Sequence, residues 1–220
     1  MMQGKTLKTS TDGWITLHQY ILMSIVALVP VKAEIMEPES CLSNNTAKLI
    51  SSGIMSVLNF SYTPPAPLLV EYRKYPVRCG KKPNPTVMEV AKEPYFFYPD
   101  PYRYVTLTVL DIDPPSPELP IFRSILHLLL CNIPQNDIKK GIYLAEYLSP
   151  DPPSFDPHRY VCLVFLQKAL LPESICTPRR YNSTLDRYGV NITMILAELR
   201  LSFYDLYAIN FFYLGKSLLT

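Results

Sequence analysis

Glycine is scarce in this chain, with 7 in 220 residues. Folds that cradle a nucleotide need glycine where backbone meets phosphate, and neither G-x-G-x-x-G nor the P-loop pattern occurs, which argues against such folds. Charge is also low: charged residues make up 18% and the formal net charge is +2. That leaves no basic excess of the kind a nucleic-acid binder carries. There is no C-x-x-C and no zinc-type spacing among the five cysteines, no HExxH and no nucleophile elbow. No motif therefore calls for a metal or a cofactor, and none is expected. The apolar fraction of 48% excludes a disordered chain.

What is abundant is proline, at 22, and tyrosine, at 16. Many prolines among aromatics with few glycines suggest strands joined by rigid turns and disfavour a helix bundle. A length of 220 residues suits one domain with a self-supporting core.

Tyr20 to Val31 is an uncharged apolar run preceded by Lys5 and Lys8 and followed by Val31-Lys32-Ala33. That is the layout of a secretory signal cut after Ala33, too short to span a bilayer comfortably. We expect 1–33 to be a signal peptide and 34–220 a single secreted domain. No later segment is long enough to cross a membrane. Loss of Lys5, Lys8, Lys32 and Asp12 takes 21 basic residues to 18 and 19 acidic residues to 18, so the mature chain is near neutral. Trp14 and His18 leave too, and His127 and His158 remain.

The secretory reading carries further expectations. Asn44, Asn59, Asn182 and Asn191 each open a glycosylation sequon. Cys41, Cys79 and Cys176 sit in polar, turn-rich surroundings, so one disulfide among them is expected, with Cys41–Cys79 favoured. Cys131 and Cys162 lie inside apolar runs and read as buried thiols.

From Asn44 to Leu58 the apolar spacing predicts a helix capped by Ser43 or Asn44 that packs on a sheet edge. Thr63–Pro67 reads as a stiff extended connector. Strand-type runs follow at Leu68–Arg73, Tyr95–Tyr98, Tyr104–Ile112, Ser124–Ile133 and Tyr160–Gln167, several apolar on both faces as in strands held between layers. Ile192–Tyr204 reads as helical and Ala208–Leu214 as one more strand.

Three places break this pattern with polar side chains. Asp111 and Asp113, at the end of a strong strand, share one side if the chain stays extended, although Asp-Pro is also an ordinary turn opener. His127 sits in SILHLLLCNI, where a satisfied core histidine is the ordinary reading. A proline-rich loop from Tyr147 ends in His158-Arg159-Tyr160, donors suited to an anion and stiffened by the prolines before them. Both histidines of the mature chain thus border one set of strands, which favours a small-ligand site.

These motifs, in this order, resemble the phosphatidylethanolamine-binding protein family. LLVEY at 68–72, PNPTVMEVAKEP at 83–94, YVTLTVLDIDPPSP at 104–117, HLLLCNI at 127–133, the HRY-centred block at 141–167 and AINFF at 208–212 carry the likeness. The resemblance implies a mainly β fold, an antiparallel β-sandwich of two sheets with a few peripheral helices. It also implies a small anion pocket involving Asp111, Pro115, His127, Tyr147, Pro153, His158 and Tyr160. The family's C-terminal tyrosine contact falls on Phe212, which has no hydroxyl. The loop before the HRY has lost its glycines, and Asp151 and Asp156 add carboxylates that weaken an anion site by about 1 kcal/mol each if solvated.

Two functions follow. One is a non-enzymatic binder of a phospholipid headgroup or other small anionic ligand; the other is an inhibitor or signalling ligand that docks a protein partner and keeps a vestigial pocket. An acid–base or metal cluster of Asp111, Asp113, His127 and His158 lacks any supporting signature.

Overall fold

A strand with no polar face must be covered on both sides, and that requirement sets the architecture. The computed structural model describes residues 40, 41, 46–73 and 75–216. The expected signal peptide, the Asn44 sequon and the Ser43 or Asn44 cap lie outside them. Strands β1 (Ala66–Pro67), β2 (Leu69–Tyr72), β3 (Tyr75–Pro76), β4 (Tyr95–Phe97), β5 (Tyr104–Asp111), β6 (Ile125–Pro134), β7 (Ile142–Ala145), β8 (His158–Leu166) and β9 (Leu206–Leu214) form two sheets. One has the order β1-β9-β8-β5-β6-β7, the other β3-β2-β4. The fold is mainly β, as the resemblance implied, and its pairings are antiparallel except for β1, which runs parallel to β9. The proline connector thus ends as an edge strand, where a missing N–H is tolerated.

The long strands alternate between two cores. On β8, Tyr160, Cys162 and Val164 face the small sheet, where Val70, Tyr72 and Phe96 meet them. Val161, Leu163 and Phe165 face the other way, toward a layer of helices and loops. That layer holds α1 (Thr46–Ser51), α2 (Ile54–Leu58) and α3 (Ile192–Glu198). The single helix expected over 44–58 is two short ones, because Gly53 adopts φ +71° between them. Leu49, Ile54 and Leu58 still reach the core. The helix expected through Tyr204 stops at Glu198, and Phe203–Asp205 is a separate 3-10 turn capped by Ser202. Its partner at the other end is sound: the Asn191 side chain accepts from Thr193 N and Met194 N at the start of α3.

Two disulfides staple the helical side. Cys41–Cys79 is present as favoured. Cys131, read as a buried thiol, is instead bonded to Cys176. Its apolar neighbours are on a strand whose alternate residues face opposite ways, so an apolar run does not stop one side chain from meeting the turn at 172–176. Cys162 is the free thiol among the described residues, fully buried, and burial pushes its pKa well up.

Three buried amide side chains tie the sheet to its loops. Asn210 on β9 is fully buried. Its Oδ1 accepts from Cys79 N at 2.9 Å and its Nδ2 donates to Leu68 O at 2.8 Å and Val77 O at 3.3 Å. The turn it holds brings Gly80 against Phe211, where a Cβ would stand 2.3 Å from the ring. Gln167, just after β8, and Asn132, on β6, do the same across β5, the Gln167 Nε2 donating to Asn132 Oδ1 at 2.8 Å. We expect Asn210→Leu, which removes the side-chain partner of two backbone donors, Cys79 N and Phe211 N, and of two acceptors, to cost about 3 kcal/mol, or roughly 6–12 °C in Tm. Denaturant unfolding checks this; a loss under 1 kcal/mol would mean that water replaces the amide.

Candidate functional site

The site grows from the first three residues of β8. Alternation sends His158 and Tyr160 to one side and Arg159 to the other. Arg159 reaches Asp113, which is fully buried, with Nε at 2.7 Å from Oδ2 and Nη2 at 2.5 Å from Oδ1; the Arg159 backbone N–H adds a contact of 2.9 Å. Arg123 approaches the same carboxylate at 3.3 Å. Arg159 Nη1 also donates to Ser52 O at 2.7 Å, tying the break between α1 and α2 to the sheet. Burial opposes ionisation of Asp113, but the Arg159 hydrogen bonds and the two guanidinium charges outweigh it and hold its pKa low.

Asp111 and Asp113 therefore do not share one side, as extended geometry predicts. Asp111 Oδ1 accepts from Asp113 N at 2.9 Å, a side-chain turn that ends the strand and swings Asp113 toward Arg159. The other Asp111 oxygen meets His158 Nδ1 at 2.7 Å. His158 Nε2 lies 3.2 Å from Pro115 O and 3.0 Å from Ser154 Oγ. Burial lowers the His158 pKa, yet the Asp111 hydrogen bond and charge dominate, and the net direction is up. Tyr160 pairs across the sheet with Asp111 on one side and Phe212 on the other. Its ring stacks on Phe212 with centroids 5.1 Å apart. Burial first, then the Asp111 charge, pushes its phenol pKa far up, so it stays protonated.

His127 arrives by a β-bulge. Val109 pairs with Leu128 and Leu110 with Leu126, so His127 on β6 has no residue opposite on β5. Bulges re-aim side chains, and this ring stands at 5.2 Å and 68° from Tyr160. His127 Nδ1 lies 2.7 Å from Leu148 O, a carbonyl that can only accept, so Nδ1 carries a proton. Nε2 is buried and has no hydrogen-bond partner. Desolvation lowers the His127 pKa, so at neutral pH Nε2 is an unprotonated lone pair. Arg187, whose charge acts on this ring, is itself buried, with Nε donating to Tyr181 O at 3.1 Å and Nη1 to Glu146 O at 2.5 Å.

These groups border a cavity of about 310 Å³. Of the residues the resemblance assigned, Asp111, Pro115, His127, Pro153 and Tyr160 line it together. His158 and Tyr147 do not. His158 is held behind the wall by Asp111, Pro115 and Ser154. Tyr147 turns toward the small sheet and donates to Val90 O at 2.8 Å, because its neighbour Leu148 takes the side that faces the cavity. Asp151 does line the cavity, whereas Asp156 does not. Phe122, Ile125, Leu148 and Tyr188 complete the walls and were not read from sequence. Arg187 was missed as well; an isolated arginine in a polar loop carries no signal of burial. Among the described residues no group of three or more His, Cys, Asp or Glu is placed to hold a metal ion, and no helix is long and apolar enough to cross a membrane.

Residues 97–194 match the family model described as phosphatidylethanolamine-binding protein. Protein MOTHER of FT and TFL1 homolog 2 from Oryza sativa subsp. japonica is 39% identical over 74 residues, 33% of this chain and 42% of that protein. The chain thus spans about a third to two fifths of the length of the curated relatives it matches. The fold is similar to that of a carboxypeptidase Y inhibitor solved with its cognate proteinase, with a TM-score of 0.65 and 24% identity over 78% of this chain and 94% of that one. It is also similar to a phosphatidylethanolamine-binding protein from Plasmodium vivax, with a TM-score of 0.59 and 15% identity over 78% and 97%.

Two substitutions separate the two carboxylates. Asp113→Ala strands the Arg159 guanidinium and is expected to cost about 3 kcal/mol or more, read by denaturant unfolding. Asp111→Asn removes the charge that raises His158, so its NMR titration midpoint should fall from above 6.5 toward or below that value. In the native protein the stability from this pair is present below pH 6.5 and is lost as pH rises through the raised value. An unmoved midpoint would assign the shift to another group.

Proposed function

We propose that this chain, which belongs to the phosphatidylethanolamine-binding protein family, is a secreted, non-enzymatic protein that binds a phospholipid headgroup or other small anionic ligand in the cavity beside Asp111, His127 and Tyr160. The observation that carries this reading is His127 Nε2: buried, unpartnered and on the wall of a cavity of about 310 Å³. A buried polar atom left without a partner costs free energy, and a ligand that hydrogen-bonds it recovers that cost.

The electrostatics support an anion once His127 is protonated. Nδ1 already gives its proton to Leu148 O, so a protonated ring offers Nε2–H to the cavity. The groups that act on this ring are Asp111, which favours its charged form, and Arg187 and His158, which disfavour it. A phosphoryl oxygen at Nε2 adds a second negative charge and tips the balance toward protonation. Arg187 is then a buried cation acting on the ring, and the Tyr160 phenol stays protonated beside Asp111, to which it hydrogen-bonds. Asp151 on the wall opposes a bare anion.

A protein-binding inhibitor is the second reading. It is favoured by His158, whose ring nitrogens are both engaged by Asp111, Pro115 and Ser154 rather than offered to the cavity. The similarity to the carboxypeptidase Y inhibitor is compatible with it.

The test follows the histidine ring signals of the secreted protein by NMR during addition of phosphorylethanolamine, then of phosphate. The expected result is a saturable shift of His127, with affinity rising as pH falls from 8 to 6 by up to tenfold per unit, because binding takes up a proton. His127→Ala should abolish it. If no histidine signal moves at millimolar ligand, the cavity is not a headgroup site and the protein-partner reading replaces it.

A further inference from the structure

A sequon marks only where a glycan can be attached; the structure shows what surrounds that point. Asn59, which opens the sequon Asn59-Phe60-Ser61, follows α2 in the left-handed conformation, with φ 58° and ψ 52°, which asparagine adopts more readily than most residues. Its backbone N–H donates to Ser56 O at 3.3 Å. Phe60 turns inward, buried and stacked on Phe203 with centroids 5.4 Å apart and planes 4° from parallel. Asn59 and Ser61, on either side of it, are exposed. The Asn59 amide can therefore carry a sugar without disturbing the core.

Asn59 also forms part of the wall of a groove of about 250 Å³, which Ser61, Tyr62, Phe203 and Tyr204 line with it. Tyr204 is 93% exposed, the most of any large apolar or aromatic side chain among the described residues. The turn that carries it is held firmly. Ser202 and Asp205 cap it reciprocally, and Tyr62 Oη donates to Phe203 O and, at 3.1 Å, to Leu206 O. An aromatic ring thus stands open on a rigid turn, beside an asparagine that can bear a glycan.

A sugar ring suits this surface. The C–H groups on one face of N-acetylglucosamine carry partial positive charge and stack on the negative face of an aromatic ring, while the hydroxyls on its edge stay in water. Attachment supplies the affinity that such a contact lacks alone, because a linked sugar is held near the groove at a roughly millimolar effective concentration. A second sequon is close by. Asn191 and Asn59 both line an adjoining groove of about 290 Å³, and Thr193 borders both grooves. Asn191 does not line the aromatic groove, and its Oδ1 is engaged by Thr193 N and Met194 N at the start of α3. Asn59 is therefore the attachment point that matches the aromatic groove.

We propose that the first N-acetylglucosamine residues of a glycan on Asn59 lie in this groove and stack on Tyr204, fastening the Phe203–Asp205 turn to the end of α2. The proposal rests on the secretory part of the reading above and not on its ligand, since no residue lining this groove lines the cavity beside His127.

The test is a thermal-unfolding cycle on the full chain secreted from eukaryotic cells, with glycopeptide mass spectrometry giving the occupancy of each sequon. Ser61→Ala removes the acceptor signal at Asn59, Tyr204→Ala removes the ring, and both side chains are exposed. Each single variant should unfold about 2–4 °C below the native protein, and the double variant no lower than either one. Tyr204→Ala should thus be silent once the Asn59 glycan is gone. Release of that glycan from the folded protein by a peptide N-glycosidase should be severalfold faster in Tyr204→Ala.

Additive shifts overturn the proposal, and so does a Tyr204→Ala variant that unfolds and releases its glycan as the native protein does. A bare Asn59 in a protein whose other sequons are occupied overturns it alone and leaves the secretory reading in place. If Thr193→Ala, which removes the acceptor signal at Asn191, abolishes the Tyr204 effect while Ser61→Ala preserves it, the groove belongs to the Asn191 glycan and the proposal falls. A chain with no occupied sequon overturns the secretory reading and the proposal together.

Discussion

One fully buried carboxylate sets the geometry of this protein. Asp113 is taken by Arg159 through two side-chain contacts and a backbone N–H, and by Arg123 through a third guanidinium contact. Such an arrangement is stable only when it is complete, since a lone buried charge costs several kcal/mol. It fixes Arg159 on the helical side of β8 and draws in the Ser52 carbonyl, where Gly53 leaves room for the guanidinium; a Cβ there would lie 3.2 Å from Nη1. With Arg159 committed, the pleat forces His158 and Tyr160 to the opposite side. The orientation of the candidate site is thus decided by a residue that does not line it.

The two histidines, alike in sequence as the expected pair of a mature chain, divide into different physical roles. His158 is saturated, with Asp111 on one nitrogen and Pro115 and Ser154 at the other, and its raised pKa is the consequence of that carboxylate. It stiffens the wall. His127 is unsaturated, with one nitrogen fixed by Leu148 O and the other bare, and its pKa is lowered by burial. Opposed shifts in neighbouring groups are what an arrangement of one fixed charge and one adjustable proton produces. The adjustable proton sits at the cavity, where it can respond to a ligand.

Much of the fold was legible because its signals are local. The strand runs at Tyr104–Ile112 and Ser124–Ile133 are long, apolar and bounded by turn residues, and the structure departs from them by at most one position at either end. Burial on both faces was readable in the lack of alternation. The Cys41–Cys79 bridge was the favoured pairing among three cysteines in polar surroundings, of which Cys176 pairs elsewhere. What failed depended on contacts across space. Cys131 lies among leucines, and nothing in SILHLLLCNI shows that its side chain meets Cys176. The swing of Asp113 away from Asp111 comes from a side-chain turn that period-two counting does not include. His127 was noticed, but its bulge exists only in the pairing of β5 with β6. Tyr188 reaches the cavity, and Arg187 is buried beside it in sequence, from a loop with no periodicity, and so neither left a trace.

Departures in the loop before the HRY acquire a sharper meaning in three dimensions. Asp151 and Asp156 looked like equal penalties on an anion site, yet only Asp151 borders the cavity. A carboxylate there disfavours a bare anion, whereas the protonatable His127 imidazole on the same cavity favours one, so the two together bear on which charge arrangement fits. At an effective dielectric near that of a protein surface, a charge pair at 4 Å is worth about 4 kcal/mol before desolvation. A ligand that places a cation near Asp151 and a phosphoryl group near His127 therefore avoids the repulsion that a bare phosphate meets. With the loop glycines absent, what this loop brings to the cavity wall in charge is Asp151. The altered loop thus changes the charge on one wall of the cavity and leaves the cavity itself in place.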